Sequence, residues 1–320
     1  MDAARLQAVE KSFGSQRAVA ALDLAIPRGQ TCGLIGPSGA GKSTTIRIIM
    51  SILFPDSGSV EVLGRPSALE AKDRIGYLPE ERGVYRKMTV GAFLKYLAGL
   101  KGVPPDVAQE RARDLLGRLG LGEVEKRKCE DMSKGMLQRV QFVATIVHRP
   151  ELLILDEPFS GLDPVSVRLL KEVIAEEKRR GTTILFSTHV MAQAEELCDR
   201  VVMIHHGSKV LDESMSKLRR RFDTTRVLFE PLDPGADGGA LHALPGVVSV
   251  QRRGDEFELR LAAGTDPAAV IREAAARVVP ARAEIARLRL EDMFVDIVRG
   301  GAESEQALRE HLQGLTGAVA

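Results

Sequence analysis

A glycine-rich segment at residues 36–44 constrains the fold of this chain more than any other stretch. It reads Gly36-Pro37-Ser38-Gly39-Ala40-Gly41-Lys42-Ser43-Thr44. The apolar residues 31–35 before it predict a strand, and residues 45–50 after it predict a helix. A strand, a G-x-x-x-x-G-K-[ST] loop and a helix in this order form a P-loop, which predicts an α/β fold.

The residue types of this loop suit phosphate binding. Glycines let consecutive backbone N–H groups approach an anion because they carry no Cβ, and the following helix N-terminus adds partial positive charge. In this pattern Lys42 reaches the β- and γ-phosphates and the Ser43 hydroxyl ligates Mg²⁺. A glycine-rich turn that binds nothing is the alternative, and the Lys-Ser pair between strand and helix argues against it. The chain is therefore predicted to bind a nucleoside triphosphate.

Composition excludes several classes of protein. Lys and Arg number 45 against 44 Asp and Glu, so no general attraction to nucleic acid or to an anionic membrane is expected. Cys32, Cys129 and Cys198 lie far apart, which favours a reducing cytoplasm over a disulfide framework or a zinc site. No apolar run approaches the roughly 18 residues of a membrane span, and the first residues do not resemble a signal peptide. We expect any membrane role to come through a partner.

Changes in pattern along the chain predict its domains. Residues 1–216 alternate strands and helices, and the period of 3.6 between about 85 and 150 predicts a helical subdomain. Residues 217–300 predict a small α+β domain that includes a loop at 231–246. Its predicted strands and helices are 225–230, 247–251, 256–261, 268–278, 283–288 and 290–298. The tail 301–320 is predicted to be a weakly amphipathic helix or a frayed end.

Two carboxylates end the predicted buried strand at 152–156. Next to a P-loop, Asp156 is positioned to hold Mg²⁺ through its water shell, and Glu157 to polarise an attacking water. Phosphoryl transfer depends mostly on positioning and electrostatics, so these few groups suffice. An acidic turn at a strand end is the structural alternative.

Three further segments carry weaker signals when each is taken alone. Ser133 can cap a helix, residues 160–163 follow the acidic strand, and His189 ends the next strand. A capping serine and a strand-end histidine are usually structural. Their order and spacing relative to the P-loop and Asp156 are what make them candidates for function.

Taken together, these motifs resemble the nucleotide-binding subunit of an ABC transporter over roughly residues 3–215. The resemblance implies a P-loop NTPase cassette with a mixed sheet core and a helical subdomain, binding ATP and Mg²⁺. It implies that Phe13 stacks on adenine and that Asp156 helps to hold Mg²⁺. It also implies that Glu157 is the general base and that His189 contacts the γ-phosphate.

The same resemblance implies partners. Ser133 and Gly135 would bind the γ-phosphate of the nucleotide held by a second ATP-binding subunit, a homodimer mate or a paralogue, and Asp163 would link the two sites. An integral-membrane permease would hold the protein at the inner face of the cell membrane, with its docking surface near residues 85–88. No nucleic acid is expected as a partner.

Two positions depart from the family pattern. Lys134 replaces a glycine and either brings a cation near the phosphates or points into solvent. Glu80 replaces a glutamine, and its carboxylate could ligate Mg²⁺ directly where an amide offers only a neutral oxygen. The second departure leaves the gating role of that loop open.

A narrower resemblance concerns residues 76–83, 133–136 and 290–295, which are similar to a subgroup that exports sodium, drugs or peptides. The leading hypothesis is an ATPase subunit that drives a membrane exporter through ATP-dependent closure of its dimer. One alternative is a soluble ABC-type ATPase acting on nucleic acid or ribosomes, which the single cassette and the lack of sustained heptads disfavour. Another is a regulator that uses ATP only as a switch.

Overall fold

The structure is a computed structural model, and it describes residues 2–80, 83–222, 226–262, 264–286, 290–291 and 293–294. The chain divides into two units, Met1–Glu213 and Ser214–Ala320. This division falls slightly before the predicted boundary at residue 216. The predicted tail at 301–320 and most of the predicted helix at 290–298 lie outside the described residues.

Strands and helices alternate through the first unit. Its strands are β1 (Asp2–Phe13), β2 (Gln16–Pro27), β3 (Thr31–Ile35), β4 (Ser57–Val62), β5 (Ile75–Leu78), β6 (Leu152–Asp156), β7 (Thr183–Thr188), β8 (Arg200–His205) and β9 (Ser208–Ser214). Its helices are α1 (Lys42–Ile49), α2 (Val90–Gly99), α3 (Pro105–Arg118), α4 (Lys134–Ile146), α5 (Pro164–Arg179) and α6 (Met191–Leu197).

A six-stranded sheet in the order β5-β6-β7-β3-β8-β9 carries the P-loop. The strands from β5 to β8 pair in parallel, and every residue of β3, β6 and β7 is buried, as continuous apolar runs predict. Because parallel strands end at one edge of a sheet, the P-loop after β3 lies beside the ends of β6 and β7. The sheet topology thus brings Asp156, Glu157 and His189 near the P-loop.

A second sheet of three antiparallel strands, β2-β1-β4, packs into the same core. The core joins side chains from both sheets and from α1. Its fully buried members include Leu6, Leu24, Leu34, Ile46, Ile49 and Leu152. This mixed α/β architecture confirms the predicted fold class.

The helices predicted between residues 90 and 148 are α2, α3 and α4. Thr89 caps α2 by accepting a hydrogen bond from the N–H of Ala92. Ser133 caps α4, as predicted, by accepting one from the N–H of Met136 at 3.3 Å.

The second unit is a small α+β structure. Its elements are α7 (Met215–Phe222), β10 (Arg226–Pro231), α8 (Gly239–His242), β11 (Val247–Arg253), β12 (Glu256–Leu261), α9 (Pro267–Arg277) and β13 (Pro280–Ile285). The strands form one sheet in the order β11-β12-β10-β13 around Phe229 and Leu259. Asp266 caps α9 through the N–H of Ala268, with Pro267 in the first turn.

Details of this unit differ from the sequence prediction. The predicted loop at 231–246 contains α8, which is too short to show a helical period. The basic run at 217–221 lies within α7, and β13 starts and ends earlier than the strand predicted at 283–288. Within the described residues, no helix combines the length and apolar character needed to cross a membrane.

Candidate active site

The P-loop packs so closely against the sheet that two of its glycines admit no side chain. A Cβ added to Gly36 would lie 2.2 Å from the Ile204 carbonyl oxygen, and one added to Gly41 would lie 2.3 Å from that of Ala18. Gly41 also has a φ of 106°, which disfavours other residues. These contacts fix the loop directly before the first turn of α1.

Lys42 begins α1 and turns back over the loop. Its Nζ donates hydrogen bonds to the carbonyl oxygens of Gly36 at 2.8 Å and Pro37 at 3.0 Å. Burial lowers the pKa of Lys42, while the charges of Glu157, Asp156 and Glu80 act in the opposite direction. The ammonium group therefore lies in a poorly solvated position where a phosphate would be a favourable partner.

Asp156 lies at the end of β6, 1% exposed, and accepts two side-chain hydrogen bonds. The Ser43 hydroxyl donates to its Oδ1 at 3.2 Å, and the Ser187 hydroxyl donates to the same oxygen. A hydroxyl and a carboxylate are the hard oxygen ligands that Mg²⁺ prefers. The residues present therefore fit the predicted magnesium site.

Glu157 follows in a left-handed conformation with a φ of 48°. Its N–H donates to the Ser187 hydroxyl at 3.1 Å, and its Oε1 lies 2.9 Å from Nδ1 of His189. Such a φ is unfavourable for a residue with a Cβ and is found preferentially at functional sites. The Glu157 carboxylate after β6 and the His189 imidazole after β7 therefore lie in contact at the ends of neighbouring strands.

Phe13 lines a cleft of about 250 Å³ together with the P-loop. The other lining residues are Gln16, Ala18, Gly39, Gly41, Lys42, Ser43 and Thr44. The ring is 50% exposed, and Nζ of Lys11 lies 5.7 Å from its centroid, held by a 2.6 Å ion pair with Asp56. An exposed aromatic ring at the mouth of this cleft can stack on a nucleobase.

Ser133, Gly135 and Asp163 are not gathered around this P-loop. Ser133 is exposed and its hydroxyl serves only its own helix among the described residues. A Cβ on Gly135 would meet only Leu162 Cδ2 at 3.8 Å, so packing within the chain does not require glycine there. Asp163 caps α5, and hydrogen bonds from Ser166 lower its pKa.

Glu80, the exposed residue after β5, lies in a cavity of about 710 Å³. Lys134 and Arg86 line the same cavity, with Val84, Leu137, Gln141, Ser160 and Gly161. The two departures from the family pattern, Glu80 and Lys134, thus line one cavity. The negative charge of Glu80 also acts to raise the pKa of Lys42 in the P-loop, although its effect is smaller than those of Glu157 and Asp156.

Sequence reasoning missed Ser187, which bridges Asp156 and Glu157, and Gln138, whose Nε2 donates to the Pro158 carbonyl oxygen at 2.7 Å. A polar residue near the end of a buried strand could have identified Ser187 as a candidate. A glutamine on the apolar side of a helix was the corresponding signal for Gln138.

Comparisons with known proteins identify the family of this chain. A family model for ABC transporters matches residues 19–160. A second model, for the C-terminal domain of DrrA1-3-like ATP-binding proteins, matches residues 214–298.

Individual proteins show the same relationship. An uncharacterized ABC transporter ATP-binding protein of Bacillus subtilis (strain 168), YhaQ, is 42% identical over 254 residues, 79% of this chain and 84% of YhaQ. The linearmycin resistance ATP-binding protein LnrL of the same organism is 35% identical over 206 residues, 63% of this chain and 66% of LnrL. A solved structure of an ATP-binding subunit of an ABC transporter superposes with a TM-score of 0.63 at 31% identity, covering 68% of this chain and 92% of that one. This chain belongs to the ABC transporter ATP-binding protein family.

Proposed function

We propose that this chain hydrolyses ATP to drive an exporter whose permease is a separate protein. The observation that carries the proposal is the turn after β6, where Glu157 Oε1 lies 2.9 Å from His189 Nδ1. That pair lies next to Asp156, which is hydrogen-bonded to Ser43 of the P-loop. A base, a histidine and a metal-binding pair beside a phosphate loop are the parts that ATP hydrolysis requires.

The proposed roles follow from these positions. Lys42 and the backbone of residues 36–44 bind the phosphates, and Phe13 stacks on the adenine. Ser43 and Asp156 hold Mg²⁺, which when bound offsets phosphate charge. Glu157 accepts the proton of the attacking water while His189 contacts the γ-phosphate.

The second half of each site comes from another ATP-binding subunit. Ser133 and Gly135 are exposed or half-exposed at the N-terminus of α4, and that helix end carries partial positive charge. Packing among the described residues does not explain the glycine at 135. Contact with the γ-phosphate of a partner's nucleotide explains both features, with Asp163 linking the two sites.

Docking to a permease is supported by an apolar groove of about 330 Å³ next to the Glu80 loop. Its apolar lining includes Met50, Phe93, Leu97 and Leu100. Tyr85, which belongs to the predicted docking segment, is 56% exposed, and its ring packs edge-on against that of Tyr96 with the centroids 5.7 Å apart, which adds aromatic surface to the segment. A permease bound there holds the chain at the inner face of the membrane. Export is supported by the resistance role in the name of LnrL.

ATP turnover by the full-length chain and by a Glu157→Gln variant tests the proposal. The amide keeps the shape of the side chain but cannot accept a proton, so kcat is expected to fall by about 10²- to 10⁴-fold. Nucleotide binding is retained, and ATP traps the variant as a dimer that sedimentation detects. Wild-type turnover in the Glu157→Gln variant would remove the assignment of Glu157 as the base.

Transport direction needs its own experiment. The chain is co-expressed with a membrane protein that co-purifies with it, and ATP-dependent movement of labelled cargo is followed in inside-out membrane vesicles. Accumulation inside these vesicles supports export, and ATP-dependent depletion contradicts it.

A further inference from the structure

Helix α4 is attached through its side chains to the turn that carries Glu157. Gln138 is 1% exposed, and its Nε2 donates to the carbonyl oxygen of Pro158, the residue after Glu157, at 2.7 Å. This hydrogen bond offsets part of the cost of burying the amide, while Oε1 of Gln138 is buried without a hydrogen-bond partner among the described residues. The bond fixes the helix relative to the Glu157 turn.

The same side of α4 reaches the segment that follows Glu80. Gln141 lies three residues after Gln138, a spacing that places both side chains on neighbouring parts of one helix face. Its Nε2 donates to the carbonyl oxygen of Gly83 at 2.8 Å, and its side chain is 8% exposed. One helix therefore contacts both loops that carry the candidate carboxylates.

Gln141 also separates two cavities. It lines the 710 Å³ cavity that contains Glu80, Lys134 and Arg86, and it lines the 330 Å³ apolar groove proposed for permease docking. Gly83 lines the groove as well. A change in the groove that moves Gly83 would therefore also move the Gln141 side chain and alter the lining of the Glu80 cavity.

We propose that Gln141 is a positioning residue that holds Gly83 against α4 through the Gly83 carbonyl oxygen and thereby sets the position of Glu80, three residues earlier in the chain. This inference rests on the proposed ATPase function. Gln141 touches no reacting atom, and its effect on turnover passes through Glu80. The electrostatic effect of Glu80 on Lys42 provides the route from the loop to the nucleotide.

Gln141→Met is the informative variant because methionine has a similar length and no N–H to donate. Thr145→Val is the matched control. Thr145 lies on the same helix, is similarly buried and lines the same groove, but its hydroxyl bonds the Gln141 carbonyl oxygen and not the Glu80 loop.

Hydrogen exchange of the full chain tests the attachment without requiring turnover. Gln141→Met is expected to accelerate amide exchange in the segment after Gly83, whereas Thr145→Val is expected to leave that segment unchanged. Gln138→Met is expected to accelerate exchange in the segment after Pro158 instead. Unchanged exchange after Gly83 in folded Gln141→Met would overturn the proposal.

Turnover tests whether the effect passes through Glu80. Gln141→Met is expected to lower kcat by about 10- to 100-fold with little change in the Kd for ATP, because only the position of a group changes. In a Glu80→Gln background the same substitution should cost almost nothing more. A full additional loss in that background would contradict a role through Glu80.

The two proposals fail in different ways. If the wild-type chain hydrolyses no ATP, the proposed function falls while the exchange experiment still reports on the attachment. If the wild type is active and Gln141→Met matches it in both experiments, only the positioning role falls.

Discussion

Two regions of this chain implicated in nucleotide handling are built very differently. The P-loop half, defined here as Lys42, Ser43, Asp156 and Glu157, is mostly buried and joined by hydrogen bonds at the edge of the main sheet. The α4 half, defined as Ser133, Lys134 and Gly135, begins a helix at the surface and has no hydrogen bond to the P-loop among the described residues. The P-loop half is held in place by the core of its own chain. The α4 half is an exposed surface, as expected if it binds a nucleotide held by another subunit.

The lysines of the two halves provide the largest expected contrast. Lys42→Ala removes a buried ammonium from the phosphate loop and is expected to weaken ATP binding by about 10- to 100-fold, as the loss of a charge-assisted hydrogen bond predicts. Lys134→Ala should leave the Kd of the isolated chain unchanged because Lys134 is exposed outside the P-loop cleft. Calorimetric titration with ATP measures both values. Equal losses of ATP affinity in the two variants would contradict the distinction between the P-loop half and the α4 half.

The glycines provide a contrast in folding stability. Gly41→Ala places a Cβ 2.3 Å from a backbone oxygen at a φ of 106° and is expected to cost more than about 1–2 kcal/mol. Gly135→Ala places a Cβ in ordinary van der Waals contact with Leu162, 3.8 Å away, on a helix and is expected to stabilise the fold by about 0.5–1 kcal/mol. Denaturant unfolding measures both free energies.

The rate of ATP turnover should distinguish a functional role of Gly135 from a purely structural one. The variant is expected to lose ATPase activity while gaining stability, because the new methyl group blocks close approach of a partner's nucleotide. A stable Gly135→Ala variant with wild-type turnover would show that the glycine serves no partner.

The serines give the smallest expected difference in stability. Ser187→Ala takes the buried acceptor from the Glu157 N–H and removes one of the two hydroxyl hydrogen bonds to Asp156 Oδ1, which should cost about 1–3 kcal/mol. Ser133→Asp keeps an N-cap acceptor, so stability should change by less than about 0.5 kcal/mol. Thermal unfolding compares the two variants. A large loss of stability in Ser133→Asp would mean that the α4 half is a structural element after all.

The sequence was most informative where local pattern decides structure. The strand before Gly36, the buried run ending at Asp156 and the cap at Ser133 each follow from a few adjacent residues, and the structure contains all three elements. Their assembly at one sheet edge follows from parallel pairing. The residue roles assigned to them remain predictions.

Other features depend on residues far apart in the chain. Ser187 bonds Asp156 across neighbouring strands, and Gln141 bonds Gly83 across the helical subdomain. Glu80 and Lys134 were identified separately, and only the fold brings them to one cavity. The periodicity of the sequence predicts the type of each element but does not predict such pairs, because the pairs depend on how the elements pack against one another.

Complementation between the two halves tests the central claim most directly. Lys42→Ala has a defective P-loop half and an intact α4 half, while Ser133→Asp has the reverse. If each site combines the P-loop half of one chain with the α4 half of another, mixing the two variants creates one intact site per mixed dimer. ATPase activity of the mixture is then expected to exceed the sum of the separate variants. Activity equal to that sum, in a sample shown to contain mixed dimers, would contradict the account.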